Sequence, residues 1–330
     1  MKPTIFSGMQ ATGVPSLGNY IGAIKNWVEL QKDYQCLFCV VDLHSITVRQ
    51  DPKTFQEKAR ELLTLYIALG LDPNESIIYY QSHVPAHTEL AWILNCFTYM
   101  GELGRMTQFK DKSQKNEDNI NAGLFTYPVL QNADILLFNT NLVPVGEDQR
   151  QHIELCRDVA MRFNNVYGDI FTIPEAYIAP VGAKIMSLQE PEKKMSKSES
   201  DNLNNVIFLL DDPALVMKKF KRAMTDSLNQ IAYKPEQPGV SNLLTIYACA
   251  TGRKIEDCVV EFADAPGYGY LKTRVGEAVV ALLEPFQKRY AELKADTGYI
   301  DGIIKNNAQR ADAIAQETLK RVKDAIGFPK

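Results

Sequence analysis

The chain has 330 residues, of which 45% are apolar and 23% are charged, values ordinary for a globular protein of about two domains. Its formal net charge of −4 excludes a basic surface over the whole protein, so any nucleic acid must bind through a local patch. The N-terminal stretch MKPTIFSGMQ lacks the apolar segment of a signal peptide, and no apolar run is long enough to cross a bilayer. We therefore expect a cytoplasmic protein.

Strand-like and helix-like segments alternate in the first part of the chain. Short apolar runs predict buried strands at residues 4–10, 36–42, 76–81 and 134–138. Apolar residues at helical spacing predict helices at residues 17–28, 54–69, 86–100 and about 147–163. The alternation predicts an α/β fold with a doubly wound, Rossmann-like parallel sheet that helices cover on both faces.

The residues after 201 have a different character and show helical patterns to the end of the chain. Asp212 as N-cap and Pro213 at the first helical position predict the start of a helix over DPALVMKKFKRAM. The last pattern, NNAQRADAIAQETLKRVKDAIG, is a long amphipathic helix that ends in glycine. A strand-rich N-terminal part is therefore predicted to precede an all-helical C-terminal domain.

The six cysteines are predicted to be buried free thiols. Cys36 and Cys39 have the spacing of a metal-binding pair, but residues three apart on a strand point to opposite faces. The other four cysteines stand alone, and no tight Cys/His cluster suggests a zinc or iron–sulfur site. We therefore expect no protein ligands for a metal.

The loop after the first predicted strand lies where open α/β sheets bind ligands. It contains Gly8, Gly13 and Gly18 but not the GxGxxG pattern, which argues against NAD. Gly18 falls within the first turn of a predicted helix, where glycine costs about 1 kcal/mol. Either a flat adenine or ribose against that turn, or simple close packing, explains the missing side chain.

Two acidic positions also have more than one interpretation. Asp148 lies beside Glu147 and Gln149 at a predicted helix start, where the helix dipole alone favours acidic residues. The same cluster suits recognition of an ammonium group or a ribose hydroxyl. Asp134 opens an apolar run, where a bare carboxylate needs a partner. It is either a satisfied core residue or the acceptor for a ligand N–H.

The segment KKMSKS at 193–198 has no apolar periodicity and is predicted to be a loop that carries the ammonium groups of Lys194 and Lys197. Taken alone, such a run is most often a solvated surface. Together with SLGN at 16–19, about 180 residues earlier, it resembles the two signature motifs of class I aminoacyl-tRNA synthetases. Further segments, from GNYIGAI to GVSNLL, resemble the bacterial tryptophanyl-tRNA synthetases from residue 5 to about 245.

The resemblance implies a two-step reaction without an enzyme nucleophile. Tryptophan and ATP, with Mg²⁺ held mainly by phosphate oxygens and water, form tryptophanyl-adenylate and pyrophosphate, and the tryptophanyl group then passes to the 3′ end of the cognate tRNA. The implied catalytic residues are Lys112, Lys194 and Lys197, which would contact the phosphates as charge builds on them. The implied ATP-binding residues are Gln10, Ser16, Gly18, Asn19, Gly146, Asp148, Lys194, Met195, Ser196, Lys197 and Ser198.

The resemblance also implies a tryptophan pocket in which Asp134 would accept the indole N–H. Tyr127 and Gln149, with His44, would hold the ammonium and carboxylate groups, and apolar side chains would wall the ring. The implied pocket comprises Phe6, Gly8, Val41, His44, Tyr127, Gln131, Asp134, Val143, Val145 and Gln149.

The sequence departs from the family pattern at four positions. Ser16 and Asn19 stand where the first motif usually has histidines, a variant that the tryptophan subgroup often shows. Gln131 stands where a methionine usually packs on the indole, and Asn132 stands where the family has a small residue. An amide beside an apolar ring must find its own hydrogen bonds, so the detail of the indole pocket is the part most affected.

The resemblance gives each predicted part of the chain a function. Residues 1–205 would form the Rossmann-like catalytic domain, with a middle insertion at about 75–115 in the interface of a symmetric homodimer. Residues 206–300 would form the helical anticodon-binding domain, in which KKFKR at 218–222 is a candidate phosphate-contacting patch. Residues 301–330 would form a C-terminal helix that packs back on the catalytic domain.

Three alternatives stay open at this stage. A tyrosyl-tRNA synthetase has the same fold and chemistry, although the GEDQ and NADILL contexts favour tryptophan. A nucleotidyltransferase of this fold that acts on a small metabolite would usually be shorter. A synthetase-like protein that senses tryptophan without catalysis would gain little from the lysines of KMSKS.

Overall fold

In the computed structural model the described residues are 2–108, 120–146, 149–178, 184–195 and 202–329. They fall into two compact units. The first unit comprises Met1–Gly13, Glu29–Ala179 and Asp296–Lys330, and the second comprises Val14–Val28 and Pro180–Ala295. Within the described residues, no helix has both the length and the apolar character needed to cross a membrane.

A parallel sheet organises the first unit. The strands described there are β1 (Thr4–Met9), β2 (Gln35–Val40), β3 (Ile77–Tyr80), β4 (Leu142–Pro144) and β5 (Glu175–Tyr177). Their order across the sheet is β3-β2-β1-β4-β5, and every neighbouring pair is parallel. The order reverses between β1 and β4, as in a doubly wound fold, so the predicted fold class is confirmed.

Helices account for most of the remaining described residues. In chain order they are α1 (Leu17–Asn19), α2 (Lys25–Leu30), α3 (Asp42–Ser45), α4 (Pro52–Ala68), α5 (Ala86–Asn95), α6 (Met100–Gly104), α7 (Ala122–Leu136), α8 (Arg150–Tyr167), α9 (Pro213–Lys221), α10 (Pro238–Thr251), α11 (Ile255–Glu261), α12 (Tyr268–Ala295) and α13 (Thr297–Ile326). A π-helical segment, Tyr20–Ile24, joins α1 to α2. The helix predicted over 86–100 ends earlier than predicted, at Asn95, and α6 begins only at Met100.

The predicted strand at 134–138 is wrong. Asp134 lies inside α7, and the next strand is β4, which begins at Leu142. The apolar run after Asp134 is buried on all sides, and such a run has the same character in a buried helix as in a buried strand. The helix is recognisable only from its upstream part, because it begins at Ala122 and continues through Pro128 to Leu136.

A large apolar cluster of the first unit lies against one face of the sheet. Phe6 of β1, Leu37 of β2 and Tyr79 of β3 are buried there with residues of α5, α7 and α8. The C-terminal helix α13 packs on β3 and α5 and adds Ala311 and Leu319 to this core.

The second unit is mostly helical and has its own apolar core. Phe220 of α9 and Leu243 of α10 are buried, as are Phe262 and Val279. The predicted cap of α9 is present, because the side chain of Asp212 accepts a hydrogen bond from the amide of Leu215 at 2.9 Å.

The cysteines are free thiols, as predicted, but not all of them are buried. Cys36 and Cys39 are buried in β2, whereas Cys96 is exposed. Burial raises the pKa of the Cys36 thiol to about 12. Within the described residues, no group of three or more His, Cys, Asp or Glu side chains is placed to hold a metal ion.

Candidate active site

The switch point of the sheet brings two predicted ligand-binding residues to one edge of the first unit. Gln10 follows the carboxyl end of β1, and Gly146 follows that of β4, the strand that pairs with β1. The side-chain amide of Gln10 donates to the carbonyl oxygen of His44 at 3.3 Å, which orients it at this edge. Ligands of doubly wound folds bind in the crevice at such a point.

Asp134 is the centre of a buried polar cluster in the first unit. Its carboxylate is 1% exposed. Nε2 of His44 lies 2.7 Å from Oδ2, and Nε2 of Gln81 donates to Oδ1 at 2.6 Å. Nδ1 of His87 lies 2.6 Å from the same Oδ1. Asp134 therefore has polar neighbours at both carboxylate oxygens, with more of them at Oδ1 than at Oδ2.

The electrostatics of this cluster keep Asp134 ionised. Burial by itself would raise the pKa of the carboxyl group, but the charges of His44 and His87 and their hydrogen bonds outweigh burial and hold the pKa well below its usual range. The cluster extends to Tyr79, whose hydroxyl lies 3.0 Å from Nε2 of His87. Burial raises the pKa of Tyr79 well above its usual range, so its hydroxyl stays protonated.

Tyr127 and Gln149, predicted to hold the amino-acid backbone, lie in the first unit. The hydroxyl of Tyr127 lies 2.9 Å from Nε2 of His152, and the two rings stack at a centroid distance of 5.6 Å. The ring of Tyr127 also meets the ring of His44 edge-on at 6.2 Å. Gln149 directly precedes α8, and its backbone amide donates to the carbonyl of Gly146 at 2.9 Å.

The residues predicted to wall the indole ring are apolar and largely buried. Phe6, Val41 and Val143 are at most 8% exposed, and Val145 packs on the same core. Phe6 stacks on Phe138 at 5.9 Å. These four positions belong to or follow β1, β2 and β4 and share one apolar cluster.

Gly8 is required by the packing of the sheet. A Cβ atom at this position would lie 2.8 Å from Cγ1 of Val41 and 2.9 Å from the carbonyl oxygen of Cys39. The second distance is to a backbone atom of β2, which cannot move without disturbing the strand. Any larger residue would displace Val41, one of the predicted pocket residues.

The two departures from the family pattern in α7 have different environments. Gln131 is half-buried, whereas Asn132 is fully buried. Neither Oδ1 nor Nδ2 of Asn132 has a hydrogen-bond partner among the described residues. A buried amide without partners lowers the free energy of unfolding by about 1–3 kcal/mol, so Asn132 destabilises the protein.

The first predicted motif begins the helical segment of the second unit. Oγ of Ser16 accepts a hydrogen bond from the amide of Asn19 at 3.2 Å, and Oδ1 of Asn19 accepts one from the amide of Ser16 at 2.9 Å. The two side chains thus cap the helix reciprocally. Nδ2 of Asn19 makes no hydrogen bond within the described part of the chain.

Gly18 allows a close approach by the second motif. A Cβ atom at Gly18 would lie 3.1 Å from the carbonyl oxygen of Met195 and 3.4 Å from its Cβ. Met195 is itself 1% exposed. Of the two explanations for Gly18, close packing is the one for which a contact is present. Lys194 is exposed, and its backbone pairs with that of Met186.

Five predicted site residues lie outside the described residues. They are Lys112, Asp148, Ser196, Lys197 and Ser198.

The sequence interpretation missed three polar residues near Asp134 and Tyr127. Gln81 follows β3, His87 lies in α5, and His152 lies in α8, and all three are buried. A signal existed for His87 and His152, because each is a polar residue on the apolar face of an amphipathic helix. No local pattern marks Gln81.

Comparisons with known proteins agree with this fold. The family described as "tRNA synthetases class I (W and Y)" matches residues 1–284. The chain is 53% identical to a tryptophan–tRNA ligase of Clostridium tetani over 327 residues, which cover 99% of this chain and 96% of that one.

Solved structures give the same result. A tryptophanyl-tRNA synthetase from Mycoplasma pneumoniae has a TM-score of 0.91 and 34% identity, over 100% of this chain and 99% of that chain. One from Campylobacter jejuni, complexed with ADP and tryptophan, has a TM-score of 0.85 and 33% identity, over 98% of this chain and 100% of that chain. The predicted family is therefore confirmed: this chain belongs to the class I tRNA synthetases of the tryptophan and tyrosine group.

Proposed function

We propose that the protein is a tryptophan–tRNA ligase, which activates tryptophan with ATP and transfers it to the 3′ end of its cognate tRNA. The C. tetani relative carries this name at 53% identity over nearly the whole chain, and the C. jejuni structure was solved with ADP and tryptophan. The single observation that carries the choice of substrate is the buried, ionised carboxylate of Asp134.

Asp134 suits a ligand with one N–H donor. Oδ1 accepts a hydrogen bond from Gln81 and lies 2.6 Å from Nδ1 of His87, whereas His44 is the hydrogen-bond partner of Oδ2 among the described residues. A carboxylate oxygen accepts about two hydrogen bonds, so Oδ2 keeps one position, and the indole of tryptophan has a single N–H and no acceptor. A ligand that lacks this donor would leave Asp134 one hydrogen bond short in a dry site.

The adenylation step needs no protein nucleophile. The tryptophan carboxylate attacks the α-phosphate of ATP, and pyrophosphate leaves. Gln10 and Gly146 at the switch point, Asp148, and the motif Ser16–Asn19 with Lys194 and Met195 are proposed to bind ATP. Mg²⁺ would enter with ATP on phosphate oxygens and water.

The catalytic contribution is proposed to come from lysines. Lys112, Lys194 and Lys197 would follow the phosphates as negative charge builds on the leaving group. Ser196 and Ser198 would support them from the same loop. A contact that strengthens in the transition state and weakens afterwards accelerates the step and then releases pyrophosphate.

The partners are proposed to be tRNA and a second copy of the chain. The helical region 206–300 would bind the anticodon, and Lys218, Lys221 and Arg222 are exposed on or next to α9. Lys219 of the same basic run is buried and is no candidate for a phosphate contact. For the homodimer, Trp92 of the insertion is 72% exposed and is proposed to lie in the interface.

Tryptophan-dependent exchange of labelled pyrophosphate into ATP tests this function, with tyrosine as the control amino acid and Lys197→Ala as the control variant. We expect exchange with tryptophan only, and its loss in Lys197→Ala. Exchange with tyrosine only would support a tyrosyl-tRNA synthetase. A folded protein that binds tryptophan without any exchange would support a sensor.

A further inference from the structure

Lys219 is a buried lysine within an exposed basic run. It is 2% exposed, whereas Lys218 and Lys221 on the same helix are exposed. Its Nζ lies 2.6 Å from Oδ2 of Asp211 and donates to the carbonyl oxygen of Val206 at 2.8 Å. A buried lysine needs such partners, because an unpaired charge in the interior is very costly.

The partners of Lys219 belong to the segment 206–211, which its ammonium group ties together from both ends. Oδ2 of Asp211 also accepts a hydrogen bond from the amide of Phe208 at 2.9 Å, and the ring of Phe208 faces the ammonium group at 5.2 Å. From α12, the side-chain amide of Gln287 donates to the carbonyl oxygens of Leu209 and Asp211 at 3.0 and 2.9 Å.

The same segment pairs with the first motif. The backbone of Ser16 forms an antiparallel bridge with that of Phe208. The amide of Leu17 donates to the carbonyl of Ile207 at 2.8 Å, and the amide of Leu209 donates to the carbonyl of Pro15 at 3.0 Å. The position of the motif Ser16–Asn19 is therefore set by residues 207–209, which Lys219 and Gln287 hold.

We propose that Lys219 is a positioning residue for the ATP-binding motif Ser16–Asn19. It does not touch the ligand; it acts through the segment 206–211. The proposal rests on the proposed function, in which this motif contacts ATP. All of its contacts lie in the second unit, whereas the residues proposed to bind tryptophan lie in the first. Loss of the Lys219 ammonium group should therefore weaken the binding of ATP more than the binding of tryptophan.

The test compares Lys219→Met with the wild type in pyrophosphate exchange without tRNA, together with calorimetric titration of ATP and of tryptophan. Methionine keeps the apolar stem and removes the ammonium group. We expect KM and Kd for ATP to rise about tenfold or more, since small displacements of a positioning element are costly, and the values for tryptophan to change less than about twofold. Lys288→Met, an exposed lysine beside Gln287, should match the wild type.

A second variant separates positioning from stability. Lys219→Met leaves the largely buried side chain of Asp211 without its lysine partner, which destabilises the fold, whereas Lys219→Met/Asp211→Asn removes both charges. We expect the double variant to regain melting temperature but to keep the raised KM for ATP. Gln287→Met should also raise the KM for ATP. An unchanged KM for ATP in the folded single or double variant would overturn the proposal.

The outcomes for the two proposals are distinguishable. Absence of exchange in the wild type would contradict the proposed function and would not bear on Lys219. The ratio of ATP affinities of the variants and the wild type tests whether Lys219 positions the motif. Calorimetry measures this ratio even without turnover.

Discussion

Nδ1 of His87 lies 2.6 Å from Oδ1 of Asp134, and both side chains are almost fully buried. His87 comes from α5 and Asp134 from α7, so the pair joins two helices of the first unit. Because Nε2 of His87 lies beside the hydroxyl of Tyr79, the imidazole is held on both sides. The arrangement orients the carboxylate and keeps it charged.

Replacing His87 by phenylalanine should destabilise the protein by about 2 kcal/mol, because the buried carboxylate of Asp134 would lose the polar nitrogen that lies 2.6 Å from its Oδ1. Asp134 would keep Gln81 and His44 but would lose one of the groups that offset its burial. Chemical unfolding measures the change in free energy. His83→Phe is the matched control, because His83 is exposed and should have little effect. Equal effects of the two changes would contradict the importance of the pair.

The depressed pKa of Asp134 predicts a specific response to acid. An unperturbed aspartate has a pKa of 3.8, and the folded protein holds this one well below it. Between the two values the unfolded chain binds more protons than the folded one, so the contribution to stability is complete above about pH 5 and is lost as the pH falls further. When the pH is lowered from about 5 to about 3, the free energy of unfolding should therefore decrease less in Asp134→Asn than in the wild type.

Unfolding titrations at the two pH values test this response. Asp301→Asn, which changes an exposed carboxylate of the first unit, is the control for the general effect of removing an acid. An identical loss in Asp134→Asn and in the wild type would contradict the depressed pKa.

Asp134 should also determine recognition of the indole N–H. The wild type is expected to prefer tryptophan to an analogue with sulfur in place of the N–H by a factor of about one hundred or more, because the analogue leaves the carboxylate short of a donor. Asp134→Ala should lower kcat/KM for tryptophan and remove most of this preference. Adenylation kinetics with both amino acids measure it, and a preference retained in the variant would exclude Asp134 as the acceptor.

Gly18 and Gly22 should respond in opposite ways to alanine. At Gly18 the new Cβ would lie 3.1 Å from the carbonyl oxygen of Met195, so the KMSKS backbone must shift, and we expect a raised KM for ATP. At Gly22, in the same helical segment, nothing lies within 4 Å, and alanine should stabilise the helix by up to about 1 kcal/mol. Thermal unfolding and exchange kinetics of both variants test the difference, which would be absent if the Met195 contact were unimportant.

The partnerless amide of Asn132 predicts an unusual gain. Asn132→Leu replaces it by an apolar group of similar shape and should stabilise the protein by about 1 kcal/mol. Asn242 is the control, because its amide makes hydrogen bonds of 2.9 Å with both the N–H and the carbonyl of Met186. Asn242→Leu should therefore destabilise the protein by about 2–3 kcal/mol. A loss of stability in both variants would mean that Asn132 has a partner in solution.

Local features of the sequence determined much of the fold. The short apolar runs that became β1, β2 and β3 were predicted, as was α9 with its cap at Asp212. The resemblance of its motifs to those of a known family identified the family. These features succeed because a strand, a cap and a motif each depend on residues close together in the chain.

Only the tertiary structure decided which residues surround Asp134. The run after Asp134 was predicted as a strand because a fully buried helix lacks the polar face that marks a helix in sequence. Gln81 and His87 reach the carboxylate from elements more than forty residues earlier in the chain. Lys219 has the sequence context of a surface charge, yet it is buried because Asp211 and Val206 fold onto it. Such partnerships depend on packing between distant segments, for which local periodicity has no signal.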